Sequence, residues 1–219
     1  MIRHTSNRTA SPLASAGPFV AVVDDDPSVL DALDNLLRSV SLATRLFATP
    51  GELLAAQLPD EPGCIVLDVR LPGVSGLDFQ EHLERSGIHR PIVFMTGHGD
   101  IPMTVRAMKA GAVDFLAKPF RDQDMLDAVM AAIDLDARNR AANATLGDLR
   151  AEFESLTQRE REVMTHVVAG LMNKQVAGIL GLSEITVKIH RGNVMRKMGV
   201  RTLADLVRKA EALGIARAP

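Results

Sequence analysis

Cysteine is almost missing from this chain: Cys64 is the single one in 219 residues, which excludes a disulfide framework. It sits in a Val/Ile/Leu-rich run, where a small buried hydrophobe is the expected role and a cytosolic location fits best. Long hydrophobic runs are missing too, and no apolar stretch approaches the roughly 18 to 20 residues that span a bilayer. Met1 to Pro18 carry Arg3 and Arg8 but no apolar core of the length a secretory signal needs, and 1–18 read as a disordered tail. Internal repeats and low-complexity tracts are absent as well.

Net charge is scarce at -2, so the total points to no partner. Its distribution says more. From Phe19 to Ile133 there are 9 Lys+Arg against 17 Asp+Glu, a balance of -8, whereas Ala151 to Pro219 hold 11 against 7, a balance of +4. An acidic first half and a basic second half suggest a metal or phosphate switch joined to a nucleic-acid binder.

Short apolar runs punctuate the first half, the first of them apolar throughout, and four of them end on a polar group. Phe19–Val23 stops at Asp24-Asp25-Asp26, Cys64–Leu67 at Asp68, Ile92–Met95 at Thr96 and Asp114–Ala117 at Lys118, while a weaker run lies at Thr44–Phe47. Such runs are strands buried on both faces, and helical patterns between them imply a parallel sheet in an α/β sandwich. The helices are marked by Val29–Leu37, by Leu53 and Leu54, by Leu77, Phe79 and Leu83, by Val105 and Met108, and by Met125–Ile133. The last is expected to run on as an Ala-rich linker to about Asn143. Past Leu149 the strands stop and four helices follow, three of them opened by caps at Thr157, Ser183 and Thr202.

In an open parallel sheet, ligands bind beyond the carboxyl ends of the strands. Acids after two strands, a hydroxyl after a third and an ammonium after a fourth therefore converge. Crowded carboxylates repel one another, and a divalent cation with a preference for oxygen ligands resolves that conflict. A carboxylate beside such a cation is a competent nucleophile for a phosphoryl group. Asp26 is expected to cap the following helix, and His98, between glycines, to be a loop histidine without a metal role.

VVDDD, LDVRLPGVSG, MTGHGD and DFLAKPF, in that order, resemble the receiver domain of two-component response regulators, especially the FixJ/NarL class. The resemblance implies a flavodoxin-like five-stranded parallel sheet of order 2-1-3-4-5 over residues 19–133. It implies that Asp68 accepts a phosphoryl group from a sensor histidine kinase. Asp24, Asp25, Asp68 and the backbone carbonyl of Arg70 would hold Mg2+ or Mn2+, with Asp24 acting mainly through water. Thr96 and Lys118 would contact phosphate oxygens, and Phe115 would rotate as the switch. Receivers often carry Tyr at the Phe115 position, so a hydrogen bond from that ring is not available. Lys118-Pro119 would be a cis peptide, and Val105 and Lys109 would lie in a phosphorylation-dependent homodimer interface.

The run from SLTQREREVM to LADLV resembles the LuxR-type helix-turn-helix domain, implying an all-α four-helix DNA-binding domain over 151–216, with the helix-turn-helix at 173–192 and a helical linker at 134–150. Helical period puts Val187, Val194 and Met198 on one face of the third helix and Ile185, Lys188, Ile189, Gly192 and Arg196 on the other. Asn173, Lys174, Thr186, Lys188, Ile189, Arg191, Gly192 and Arg196 are the expected DNA contacts, with Lys197 and Arg201 as further basic groups. The implied protein is a non-enzymatic, cytoplasmic, membrane-free transcription regulator, acting as an activator on paired promoter half-sites, with RNA polymerase a further partner. Two rivals remain: a phosphorylation-independent DNA-binding regulator, and an Asp-dependent phosphatase suggested by Asp24-x-Asp26.

Overall fold

A computed structural model of the chain describes residues 17–97 and 101–215, with only the backbone described at Val74 and Ile101. His98 and all but the last two residues of the expected tail lie outside the described residues. The chain divides into two compact units, 1–139 and 140–219.

In the first unit, strands β1 (Phe19–Val23), β2 (Ala43–Phe47), β3 (Gly63–Asp68), β6 (Ile92–Thr96) and β7 (Asp114–Ala117) form one sheet of order β2-β1-β3-β6-β7. All four pairings are parallel. The two-residue strands β4 (Arg70–Leu71) and β5 (Val74–Ser75) make a separate antiparallel ladder. Leaving that ladder out of the count, the order is the expected 2-1-3-4-5.

Alternation with period two feeds two cores from the same strands. Phe19, Ala21, Val23, Ile65, Leu67, Ile92 and Phe94 face one side, packing with residues of α2 (Pro50–Ala55), α3 (Gly76–Arg85) and α4 (Ile101–Lys109). Val20, Val22, Cys64, Val66, Val93 and Met95 face the other, against α1 (Pro27–Ser39) and the first turns of α5 (Asp122–Glu154). The weak run at Thr44–Phe47 is an edge strand, and only Phe47 in it is buried. Burial also pushes the Cys64 thiol up to about 12, which keeps it protonated and inert, as its apolar surroundings suggested.

Two markers of the helices behave differently from a core face. Val105 and Met108 are 44% and 45% exposed, whereas Ala107 on α4 is fully buried. Met130 on α5 is likewise exposed. The fifth helix does not stop near Asn143 but continues to Glu154, because Leu149 and Phe153 near its end join the core of the second unit.

That second core is closed by α6 (Gln158–Val168), α7 (Asn173–Leu180), α8 (Glu184–Lys197) and α9 (Leu203–Ala212), through Val163, Val167, Val176, Val187, Val194 and Leu206. Thr157 and Glu160 form the expected capping box, the Glu160 carboxylate accepting from the Thr157 N–H at 2.8 Å. Glu160 is buried, and Lys197 Nζ lies 2.6 Å from the same oxygen while also donating to the Ser155 carbonyl. Burial pushes the Glu160 pKa up, but the Lys197 and Thr157 hydrogen bonds outweigh it, and the net direction is down. Its contribution to stability is therefore complete above the ordinary carboxylate value and is lost as pH falls through the depressed native one. Glu160→Gln should lower the stability of the second unit by about 1–3 kcal/mol at neutral pH, read by urea titration, and the deficit should shrink in acid.

Candidate functional site

The carboxyl ends of β1, β3, β6 and β7 bring together residues far apart in sequence. Asp24 is 1% exposed and Asp68 is 8% exposed, whereas Asp25 stands open to solvent. One carboxylate oxygen from each of Asp24, Asp25 and Asp68 lies within 4.8 Å of the others. Lys118 Nζ reaches Asp24 at 2.6 Å and Asp68 at 3.3 Å. Burial tends to lower the Lys118 pKa, but the hydrogen bond to Asp24 and the charges of Asp24 and Asp68 reverse this, so the group is an ammonium at neutral pH.

Backbone groups complete the cluster. The Asp26 N–H donates to Asp24 Oδ1 at 2.9 Å and the Arg70 N–H to Asp68 Oδ1 at 3.2 Å. Asp26 itself turns away to cap α1, accepting from the Ser28 N–H, as its position before the helix suggested. Thr96 is fully buried at the end of β6, and its carbonyl accepts from the Lys118 N–H at 2.7 Å, tying the hydroxyl-bearing strand to the ammonium-bearing one. Lys118-Pro119 is cis. Three carboxylates against one ammonium leave a net charge of 1 - 3 = -2 among these groups, and their oxygens suit a hard divalent cation.

Gly76 is a positioning residue whose role went unassigned within LPGVSG. Its N–H donates to the Val69 carbonyl at 2.8 Å, and a Cβ there would lie 2.7 Å from the Asp68 carbonyl oxygen and 2.9 Å from Val69 Cα. Both neighbours are backbone and cannot swing aside. Gly76→Ala should cost about 1–3 kcal/mol in the urea transition of the first unit by displacing the backbone at Asp68. An unchanged midpoint would show that α3 can move away freely.

In the second unit α8 meets its expected phase. Val187, Val194 and Met198 are buried, whereas Ile185 and Ile189 are 74% and 59% exposed and Lys188, Gly192 and Arg196 share their open face. Ser183 caps the helix, and its hydroxyl is also paired with that of Thr186. Arg191 is half-buried and donates to Asn173 Oδ1 at 3.3 Å, so these two expected contacts form one unit joining α7 to α8. Lys197 is bonded to Glu160 and Ser155, which gives it a structural role in the second unit. Lys174 and Arg201 remain exposed.

Family models match both units: the response regulator receiver domain over residues 20–130, and the bacterial regulatory proteins of the luxR family over residues 154–210. FixJ of Azorhizobium caulinodans, a transcriptional regulatory protein, is 43% identical over 91% of this chain and 94% of its own. The chain belongs to the response regulators of the FixJ/NarL class. This response regulator is also 59% identical to Nodulation protein W of Bradyrhizobium diazoefficiens, over 92% of this chain and 89% of that one. Among solved structures, that of response regulator StyR is 51% identical, with a TM-score of 0.80, covering 90% of this chain and 99% of its own.

A response regulator with this pair of domains regulates transcription in dependence on phosphorylation, which implies a kinase that supplies the phosphoryl group and DNA that receives the output. Neither matched family is an enzyme family, which leaves the phosphatase reading of Asp24-x-Asp26 without support. Among the described residues, no helix is long and apolar enough to cross a membrane. Phe115 is half-buried on β7, its ring centroid 6.4 Å from that of Phe94.

Proposed function

We propose that Asp68 is the phosphoryl acceptor of this response regulator, that a sensor histidine kinase is the donor, and that the phosphorylated chain pairs and binds promoter half-sites as an activator. The observation that carries this reading is the Lys118 ammonium held between Asp24 and Asp68 at the ends of buried strands. Mg2+, or Mn2+ in its place, would be held by Asp24, Asp25, Asp68 and the Arg70 carbonyl, and when bound it neutralises the transferring oxygens.

The protein's own groups divide the remaining work. Asp68 supplies the carboxylate oxygen that attacks phosphorus, and as that O–P bond forms the bond from phosphorus to the donor breaks, releasing the kinase's histidine, or acetate when acetyl phosphate is the donor. Lys118 exchanges its contact with Asp68 for one with a phosphate oxygen, and Thr96 donates to another, drawing the end of β6 inward. The space that Thr96 vacates admits the ring of Phe115, which reshapes the α4–β7 face.

On that face the exposed Val105 and Met108 support an apolar pairing surface, with exposed Lys109 beside them. Pairing would let two output domains engage two half-sites, with Lys174, Lys188, Ile189, Gly192 and Arg196 toward the duplex and the Asn173–Arg191 pair and Thr186 near the helix N-termini. The working parts are then a receiver over 19–133, a helical linker over 134–150 and a DNA-binding domain over 151–216. A cytoplasmic location and a contact with RNA polymerase follow from the same reading.

The test is to incubate the full chain with magnesium and acetyl phosphate and locate the label by tandem mass spectrometry. A single phosphoryl group on Asp68 is expected. No label, or a label on another residue, would overturn the assignment.

A further inference from the structure

The opposite end of the sheet carries a buried ion pair that the phosphorylation site does not use. Asp136, on α5, is 3% exposed and accepts from Arg90 Nη1 and, at 3.0 Å, from the N–H of Gly63. Arg90 also donates to the carbonyls of Glu61 at 2.8 Å and Pro59 at 2.7 Å, and its guanidinium lies 5.1 Å from the centroid of the Phe19 ring. A Cβ on Gly63 would lie 2.5 Å from that ring, so the close approach requires glycine.

The position of this node is informative. Phe19 and Gly63 are the first residues of β1 and β3, and Arg90 stands two residues before Ile92, which opens β6. The far ends of the same three strands carry Asp24, Asp68 and Thr96. One carboxylate on α5 is thus bonded to the backbone of the strand that bears Asp68 and to the guanidinium beside the strand that bears Thr96. Stability alone does not call for such a device, since a buried ion pair is commonly no better than well-packed apolar residues, but a charged, multiply bonded node fixes register and direction.

We infer that Arg90 and Asp136 are positioning residues that fasten α5 rigidly to the strands of the phosphorylation site. Through them, α5 keeps its direction relative to the sheet in both phosphorylation states. This rests on the reading of Asp68 as acceptor. With the node intact, a shift at the far strand ends is carried into α5 as a rigid body. With it broken, the sheet still accepts a phosphoryl group but α5 no longer follows.

The experiment uses the full chain and its Asp136→Asn and Arg90→Lys variants. Three readouts are taken: labelling by acetyl phosphate, DNA affinity with and without label on a duplex selected from a random library, and hydrogen exchange of the Gly63 amide. Both variants should label within about twofold of the parent rate, and both should lose at least about fivefold of the gain in DNA affinity that labelling confers. A third variant, Asp136→Ala, which removes the acceptor oxygen altogether, should also deprotect the Gly63 amide.

A purely structural pair would lower the melting temperature and leave that gain unchanged when measured well below the transition, which would overturn the proposal. The parent chain supplies a second check that needs no variant. Its Gly63 amide should stay protected whether labelled or not, and deprotection on labelling would also overturn rigid fastening. A parent chain that takes no label at Asp68 would instead refute the acceptor assignment, a result distinguishable from both.

Discussion

Asp68→Asn should abolish phosphoryl uptake from acetyl phosphate: the parent gains about 80 Da by intact mass and the variant gains nothing, a loss on the order of 100-fold or more in labelling rate. A carboxamide keeps the shape of the side chain and its contact with the Arg70 N–H, but it offers no anionic oxygen to attack phosphorus. The fold should survive, because the substitution removes one of three mutually repelling carboxylates and leaves Lys118 its shorter contact, at 2.6 Å, with Asp24. The melting temperature should therefore stay level or rise while labelling disappears. DNA affinity in the variant should become indifferent to acetyl phosphate. A variant that still takes the adduct would place the nucleophile elsewhere, with Asp25, the exposed member of the cluster, the first alternative to inspect.

Lys188→Ala should weaken binding to a selected operator duplex by about 1–3 kcal/mol, roughly 5- to 150-fold, measured by titration at fixed salt. Lys188 projects from the open face of α8 between Ile185 and Ile189, with Val187 beside it buried in the core, so the change should leave the fold intact. Asp205→Ala is the control. Asp205 bonds Thr202 and Arg208 at the start of α9, so its loss should affect a helix cap and leave DNA affinity within about twofold. Equal loss in both variants would mean that α8 presents a different face to the duplex. The salt dependence separates the two roles for Lys188: a phosphate contact lowers the slope of log affinity against log salt by about one, whereas a base contact changes specificity at one position.

Much of this molecule is legible as a line of text, for a definable reason. Strands buried on both faces must be apolar throughout, so Phe19–Val23, Cys64–Leu67 and Ile92–Met95 announce themselves, and the polar residue that ends each run falls at the strand end where ligands bind. Thr44–Phe47 is faint because an edge strand has less to bury. Spacing alone did not show that Val105 and Met108 are exposed, since apolar residues at helical spacing on a short helix look the same whether they face a core or solvent; for Val105 only the family resemblance implied a surface position. Nor could the extent of α5 be read, because its Ala-rich middle carries no stop signal and only Leu149 and Phe153 show where it regains a core.

By itself the sequence determined the strand–helix alternation, the sheet order through family resemblance, the helix caps at Asp26, Thr157, Ser183 and Thr202, and the set of groups that meet at the strand ends. These depend on local periodicity and on topology, which the chain order already contains. The tertiary structure alone decided how charges are shared: Lys118 lies closer to Asp24 than to Asp68, Arg191 is tied to Asn173, Lys197 to Glu160, and Arg90 to Asp136. A charged side chain can reach many partners, and which one it takes depends on burial and distance between segments far apart in sequence, quantities that exist only once the chain has folded.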